Sequence, residues 1–284
     1  MTKDTETLKH SATLHTEEGK EPRATQRKEK AFVVKVGGAV VEDETQLSRL
    51  ISDFSALPGR KVLVHGGGRR ATKVAAALGI ESQMVGGRRI TDADMLNVVT
   101  MVYGGLVNKN IVAQLQAAGV NALGLTGADI DVIRSHKRPL KDGIDFGFVG
   151  DVDKADGQML HTLVEAGITP VMAPLTHDGM GNILNTNADT IASVTAMALT
   201  PYYNVTLIFC FEKKGVLANP DDDDSVIGCI SAGEFKTLVE NGTVAGGMIP
   251  KLENSFNAIR NGVEKVVITK ANAIDGQHGT VLRK

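Results

Sequence analysis

The sequence predicts an α/β fold in which a mainly parallel sheet is covered by helices on both faces, and three observations predict it. From residue 31 onward, short apolar runs alternate with longer helical patterns, the order that parallel strand–helix–strand units require. Two of the runs, Val33-Val34-Lys35-Val36-Gly37-Gly38 and Val62-Leu63-Val64-His65-Gly66-Gly67-Gly68, break abruptly into glycine. Glycine is abundant (31 residues) and aromatic residues make up only 4%, with no Trp, which suits a sheet protein with many tight turns better than a β-sandwich. With 284 residues and 42% hydrophobic content, the chain can bury one large core or two joined lobes.

Along the chain, residues 1–30 are polar, mix both charge signs and hold few apolar side chains beyond Leu8 and Leu14. They read as a disordered N-terminal extension or tail, with an arm that docks onto a partner as the alternative, and they lack the apolar core of a secretory signal. Strands are expected at 31–36, 61–64, 121–125, 131–134, 168–173, 205–211 and 265–269. Helices are expected at 44–57, 69–78, 92–118, 154–165, 187–199, 232–240 and 250–261. Gly86-Gly87 reads as the turn of a β-hairpin, followed by Thr91 as the cap of the next helix. The helix at 92–118, rich in Met, Val and Leu, reads either as buried core or as a subunit interface in which Tyr103-Gly104-Gly105 permits close approach. A strand end and polar turn at Pro174–Asp178 divide the chain into lobes at 31–175 and 176–284.

Composition excludes several classes. A formal charge of −2 gives no electrostatic footprint for nucleic acid. No apolar stretch approaches the ~20 residues needed to cross a bilayer. Cys210 and Cys229 form neither a CxxC pair nor a disulfide framework, which predicts a reducing, cytoplasmic setting.

A strand that empties into glycines exposes backbone N–H groups with no side chain in the way, a nest suited to phosphate, and Lys35 adds a point charge there. Neither GxxxxGK[ST] nor a GxGxxG after a strand is present. His65-Gly66-Gly67-Gly68 has the form of an esterase oxyanion loop, but that chemistry needs a GxSxG elbow, and the nearest serine, Ser231, has Cys229 where the first glycine belongs. Asn185-Thr186-Asn187-Ala188-Asp189 reads as a capped helix start, or as a pair of side chains, Asn185 and Asp189, aimed into an inter-lobe cleft. Lys251 follows Gly246-Gly247-Met248-Ile249-Pro250 at the positive end of a helix, where a cation is best explained by an anion opposite it.

Taken in order, Lys35-Val36-Gly37-Gly38, His65-Gly66-Gly67-Gly68, Arg88-Arg89-Ile90-Thr91, Asn185 to Asp189 and Gly247-Met248-Ile249-Pro250-Lys251 resemble the amino acid kinase family. Within it, the chain is most similar to members that phosphorylate the γ-carboxylate of N-acetyl-L-glutamate in arginine biosynthesis. The resemblance runs from about Ala31 to the C-terminus. It implies a three-layer α/β/α sandwich, an N-terminal lobe for the acylglutamate and for homodimer formation, and a C-terminal lobe for ATP. Lys35 and Lys251 are then the lysines that grip the transferring phosphoryl, with Asp189 holding both. Gly37, Gly38 and Gly67 give N–H groups to the moving phosphate, and Gly67 and Gly68 line the substrate. Arg89 pairs with the substrate α-carboxylate, helped by Asn185. Glu212, Gly215, Gly247 and Met248 fall at nucleotide-binding positions, and Mg²⁺ rides on the nucleotide phosphates with no metal site of protein carboxylates.

The roles make physical sense, because a carboxylate of pKa near ~4.3 is already ionised at neutral pH and its attack needs charge stabilisation rather than a general base. In one departure, Phe211-Glu212 stand where the family carries a Ser/Thr-Asp pair. Asp221 to Asp224 read as a solvated turn. N-succinyl-L-glutamate is the alternative acceptor, since Arg88 offers a second cation beside Arg89. A non-catalytic acylglutamate or ATP sensor is the alternative of a different class, and the presence of Lys35, Lys251 and Asp189 argues against it.

Overall fold

The computed structural model describes residues 28–140 and 142–284. The extension expected over 1–30 therefore lies outside the described residues up to residue 27. At its end, Lys30 already opens the first strand, and the Glu29 carbonyl accepts from the Asn204 N–H at 2.8 Å.

In chain order the elements are β1 (Lys30–Val36), α1 (Gly38–Glu42), α2 (Glu44–Ala56), β2 (Arg60–His65), α3 (Gly68–Ala77), β3 (Met84–Val85) and β4 (Arg88–Arg89). Then come α4 (Ala93–Val99), a π-helical stretch Thr100–Val107, α5 (Asn108–Ala117), β5 (Ala122–Leu125), β6 (Ile133–Lys137), β7 (Gly150–Ala155), α6 (Gly157–Glu165) and β8 (Thr169–Met172). The rest are β9 (Leu175–His177), β10 (Ile183–Asn185), α7 (Ala188–Leu199), β11 (Asn204–Phe211), β12 (Cys229–Ser231), α8 (Ala232–Glu240), α9 (Met248–Arg260), β13 (Lys265–Lys270) and β14 (Thr280–Arg283).

An eight-stranded sheet in the order β12-β14-β13-β11-β1-β2-β8-β5 is parallel except between β13 and β14. Its central strands are buried on both faces, which is why they read as continuous apolar runs. One core layer joins Phe32, Val34 and Val36 to Leu50 and Phe54 of α2 and to Ile111 and Leu115 of α5. The other joins Ala31 and Val33 to Leu160 of α6, Ile191 of α7 and Leu252 of α9. The expected three-layer α/β/α sandwich is the fold observed.

Several boundaries differ from expectation, each for a local reason. The helix expected from residue 154 starts at Gly157, because Lys154 belongs to β7 and Asp156 caps the helix by accepting from the Met159 N–H at 3.0 Å. The strand expected at 131–134 begins at Ile133. Ahead of it Asp129 accepts from the Thr126 N–H and hydroxyl and closes a short 3₁₀ turn over Asp129–Asp131. Asp92, not Thr91, caps α4, accepting from the Met95 N–H at 2.8 Å. The stretch Pro174–Asp178, expected as a strand end and polar turn, is itself strand β9 over Leu175–His177, and the turn follows it, where the Asp178 carboxylate accepts from the Met180 and Asn182 N–H groups. β9 belongs to a second, four-stranded sheet (β10-β9-β6-β7), while the main sheet runs unbroken between the two halves of the chain through β1 and β11. The β3–β4 hairpin turns on Gly86 and Gly87, both at positive φ, as a two-residue turn of its hand requires.

Candidate active site

Strand parity decides where the lysine of the first glycine cluster goes. Side chains alternate along β1, so Lys35 shares the face of Ala31 and Val33, the face roofed by α7 and α9. It sits at the C-terminal end of the strand, where open α/β sheets place their ligands. There α7 begins. Asn187 caps it, its side-chain oxygen accepting from the Asp189 and Thr190 N–H groups at 2.7 and 3.3 Å. The cap fixes Asp189 in the first turn, where the helix dipole favours a negative charge. Asp189 Oδ1 lies 2.7 Å from Lys35 Nζ in an ion pair largely shielded from water.

Lys251 enters from the first turn of α9, two residues past Ile249, with Pro250 tolerated there because the first turn needs no N–H donor. Of the two lysines expected to be held by Asp189, Lys35 is in direct ion-pair contact with it, while Lys251 feels its charge from farther away. Among the described residues Lys251 makes no ion pair, and its Nζ stands 3.9 Å from the centroid of the Phe211 ring. Phe211 ends β11, two residues beyond Phe209, the register partner of Lys35, so all three share one face. Burial lowers the pKa of Lys251; the Asp189 and Glu212 charges oppose that shift and the Lys35 charge adds to it.

Two clefts meet at these groups. The first, about 490 Å³, is lined by Gly67, Arg89, Asn185, Asp189 and Gly247, and the second, about 470 Å³, by Gly37, Gly38, Phe211, Glu212, Gly215 and Met248. Gly68 and Lys251 line both, and so mark the passage between them. Gly247 and Met248, expected together at the nucleotide, part at this point: Gly247 lines the first cleft and Met248 the second.

In the first cleft, Arg89 is buried and aimed by its own contacts. Its Nη2 donates to the Gly68 carbonyl at 3.0 Å and to Thr72 Oγ1 at 2.9 Å, while Nη1 lies 3.9 Å from the Met95 sulfur. Asn185 Nδ2 donates to Thr91 Oγ1 at 2.9 Å, which ties β10 to the segment after the hairpin. A side chain at Gly67 would come within 2.8 Å of the buried Tyr103 ring, so bare backbone is required there. The Gly68 N–H begins α3 and has no intrahelical acceptor, leaving it directed at the cleft.

Behind this loop, His65 is fully buried and hydrogen-bonded at both ring nitrogens. Nδ1 lies 2.8 Å from the Gly66 carbonyl, which only accepts, so Nδ1 carries the proton. Nε2 then accepts from Asn108 Nδ2 at 3.1 Å, whose other hydrogen goes to the Val171 carbonyl at 2.9 Å. Burial lowers the imidazole pKa to about 4, so the ring is neutral at pH 7.

Sequence reasoning missed three residues that line the clefts. Arg69, next after the glycines, pairs with Glu212 at 2.9 Å across the second cleft. Tyr103 comes from the π-helical stretch. Arg138 reaches the first cleft from just beyond β6, donating to Asp151 at 2.6 Å and lying against the Phe146 ring. Only Arg69 carried a signal, its place directly after a glycine nest. Asp223 and Asp224, in the turn read as solvated, pair with Lys213 and Lys214.

The sequence pattern of the Amino acid kinase family matches residues 30–270. The acetylglutamate kinase of Bacteroides thetaiotaomicron is 65% identical over 257 residues, covering 90% of this chain and 100% of that protein. The acetylglutamate kinase of Methanopyrus kandleri is 39% identical, over 88% of this chain and 99% of its own length. Among solved structures, N-acetylglutamate synthase from Neisseria gonorrhoeae, in complex with coenzyme A and N-acetyl-glutamate, superposes with a TM-score of 0.76 at 24% identity, covering 89% of this chain and 59% of that longer one. Carbamate kinase from Giardia lamblia bound to AMP-PNP superposes with a TM-score of 0.63 at 16% identity, covering 90% of this chain and 99% of that chain. At these identities the superpositions speak to fold alone.

Proposed function

The chain belongs to the amino acid kinase family, and from that premise we propose that it transfers the γ-phosphoryl group of ATP to the γ-carboxylate of N-acetyl-L-glutamate, giving ADP and N-acetyl-L-glutamyl 5-phosphate. The observation that carries this reading is the junction of the two clefts at Gly68 and Lys251, beside the Lys35–Asp189 pair. The first cleft offers a guanidinium, Arg89, for the α-carboxylate of the acceptor. The second offers glycine backbone for a triphosphate.

In the reaction a carboxylate oxygen forms the new bond to phosphorus as the bond to the bridging oxygen of ADP breaks. The acceptor is already ionised, so no base is needed. The barrier lies in bringing two anions together and in the charge spread over the transferring phosphoryl. Lys35 and Lys251 supply cations from two sides, and the Gly67 and Gly68 N–H groups supply fixed dipoles. The donors around the junction are N–H and ammonium groups, and among the described residues no cluster of three His, Cys, Asp or Glu could ligate a metal. That donor set fits a nucleotide carrying its own Mg²⁺, which would neutralise charge on the β- and γ-phosphates.

A second reading keeps the chemistry and changes the acyl group to N-succinyl. Arg88 and Arg138 line the same cleft as Arg89; among the described residues Arg138 is in an ion pair with Asp151 and Arg88 is in none. ADP release with N-acetyl- and N-succinyl-L-glutamate side by side tests both readings. Turnover of the first alone supports the leading one, a strong preference for the second replaces it, and turnover of neither overturns both.

The same reading places the protein in the cytoplasm as a homodimer. Among the described residues no helix is long and apolar enough to cross a membrane. Met101 and Leu106, 55% and 41% exposed on the π-helical stretch, support pairing through that helix. Sedimentation equilibrium giving a monomer would remove the dimer.

A further inference from the structure

We propose that Phe211 is a positioning residue for phosphoryl transfer: its ring face holds the Lys251 ammonium at the junction of the two clefts without cancelling its charge. The inference rests on the phosphoryl-transfer reading of the site.

Lys251 Nζ lies 3.9 Å from the Phe211 ring centroid and Lys35 Nζ lies 5.6 Å from it, both within the reach of a cation over an aromatic face. Beside the ring stands Phe209, which is buried and nearly parallel to it, with centroids 6.1 Å apart. Strand parity on β11 makes the arrangement rigid, since both phenyl rings leave the same face of a strand paired on both sides.

Two ammonium groups in one half-buried site repel each other. Asp189 is in direct contact with one of them, Lys35, whereas Lys251 feels the charges of Asp189 and Glu212 only from beyond ion-pair distance, with no carboxylate paired to it among the described residues. A second carboxylate would hold Lys251 too, but it would neutralise the charge that the transferring phosphoryl needs and would itself repel the phosphate. The negative face of an aromatic ring holds a cation and leaves its net charge intact. The site therefore keeps one lysine paired and one fully available, which matches a reaction whose charge develops only in the transition state.

The test replaces Phe211 by 4-fluoro-, 3,5-difluoro- and 3,4,5-trifluorophenylalanine, which drain the ring face with little change in size, together with Phe211→Leu. Lysine-¹⁵N labelled enzyme, with the Lys251 signal assigned through Lys251→Arg, gives the Lys251 titration midpoint; ADP release gives kcat and KM. The midpoint and log kcat should fall stepwise along the series, with KM for the acceptor unchanged and Phe211→Leu losing roughly tenfold in kcat. A midpoint that stays flat shows that the ring does not hold the ammonium and overturns the proposal. A midpoint that moves while kcat does not overturns the positioning role. Failure to turn over any acylglutamate overturns the reading of the site instead, and the midpoint alone then decides for or against the ring–ammonium contact.

Discussion

Lys35 at the end of β1 and Asp189 in the first turn of α7 are joined by a 2.7 Å ion pair in which both side chains are largely shielded from water. A lysine desolvated this far needs a counter-charge, and Asp189 in turn is favoured by the helix N-terminus. The pair is thus coupled, and removing either partner leaves the other exposed to the wrong environment. Lys35→Ala and Asp189→Asn should each lower kcat by roughly 100-fold or more, on the scale of losing one transition-state charge contact. The double variant should lose much less than the product of the two, because one interaction is being removed twice. Steady-state kinetics on the three proteins checks this, and full additivity would show that the two residues act independently.

Lys251 should divide its effect unevenly between kcat and KM. A charge that matters most when the phosphoryl is in flight contributes little to ground-state binding. Lys251→Ala is expected to lower kcat roughly 100-fold with KM for the acceptor nearly unchanged; equal losses in both would reduce Lys251 to a binding group. Its pH dependence follows from burial, which lowers its pKa below the free-lysine value. A lowered pKa means the ammonium is lost sooner as pH rises, so the alkaline limb of kcat/KM, which reports the free enzyme, should fall at a lower pH than ordinary lysine would give. A kcat/KM profile flat up to the ordinary lysine range would contradict this.

Arg89 should act on the acceptor alone. Part of its guanidinium is already used in holding the Gly68 carbonyl and Thr72, which leaves the Nη1 edge for a carboxylate. A charged hydrogen-bonded contact is worth about 1.5–3 kcal/mol, so Arg89→Ala should raise KM for the acylglutamate by roughly 10- to 100-fold. KM for ATP should stay within about twofold, since Arg89 does not line the second cleft. Lysine at this position should recover little, because one ammonium cannot both brace Gly68 and meet a carboxylate. A parallel rise in both KM values would mean that Arg89 supports the glycine loop and does not touch substrate.

How much of this was legible in the sequence depended on how local the signal was. The β1 and β2 glycine ends, the Asn187 cap and the Gly86-Gly87 turn are short-range chemistry, and each stands where its residues suggested. Of the small sheet of β6, β7, β9 and β10 only the start of β6 was visible, because the other strands are short or half exposed and lack a continuous apolar run. Missing that sheet hid Arg138, which follows β6 and is placed by its N–H bond to the Val149 carbonyl and its side-chain bonds to Asp151 of β7. The Lys251–Phe211 contact was equally hidden. It depends on α9 packing over the face of the sheet from which Phe211 leaves β11, a long-range arrangement that no residue spacing announces.

His65 gives the last prediction, and it concerns stability. In the folded protein burial lowers its pKa to about 4, whereas an unfolded chain titrates it near ~6.5. Between those values the unfolded state binds a proton that the folded state refuses, so folding stability falls as pH drops through the window and levels off below it. Above pH 6.5 both states are neutral there and the effect vanishes. Integrated over the window, the loss is roughly 3 kcal/mol, carried by a single buried ring. His65→Asn keeps a donor for the Gly66 carbonyl but has nothing to protonate and no contact with Asn108. Urea denaturation of both proteins at pH 7, 5.5 and 4.5 should show the variant less stable at pH 7, with the gap narrowing as pH falls. Since His65 anchors the Gly66 peptide ahead of the cleft glycines, the variant should also lose kcat at pH 7. Parallel stability curves for the two proteins would show that the ring is protonated as easily folded as unfolded, and the neutral tautomer assigned from its hydrogen bonds would then be wrong.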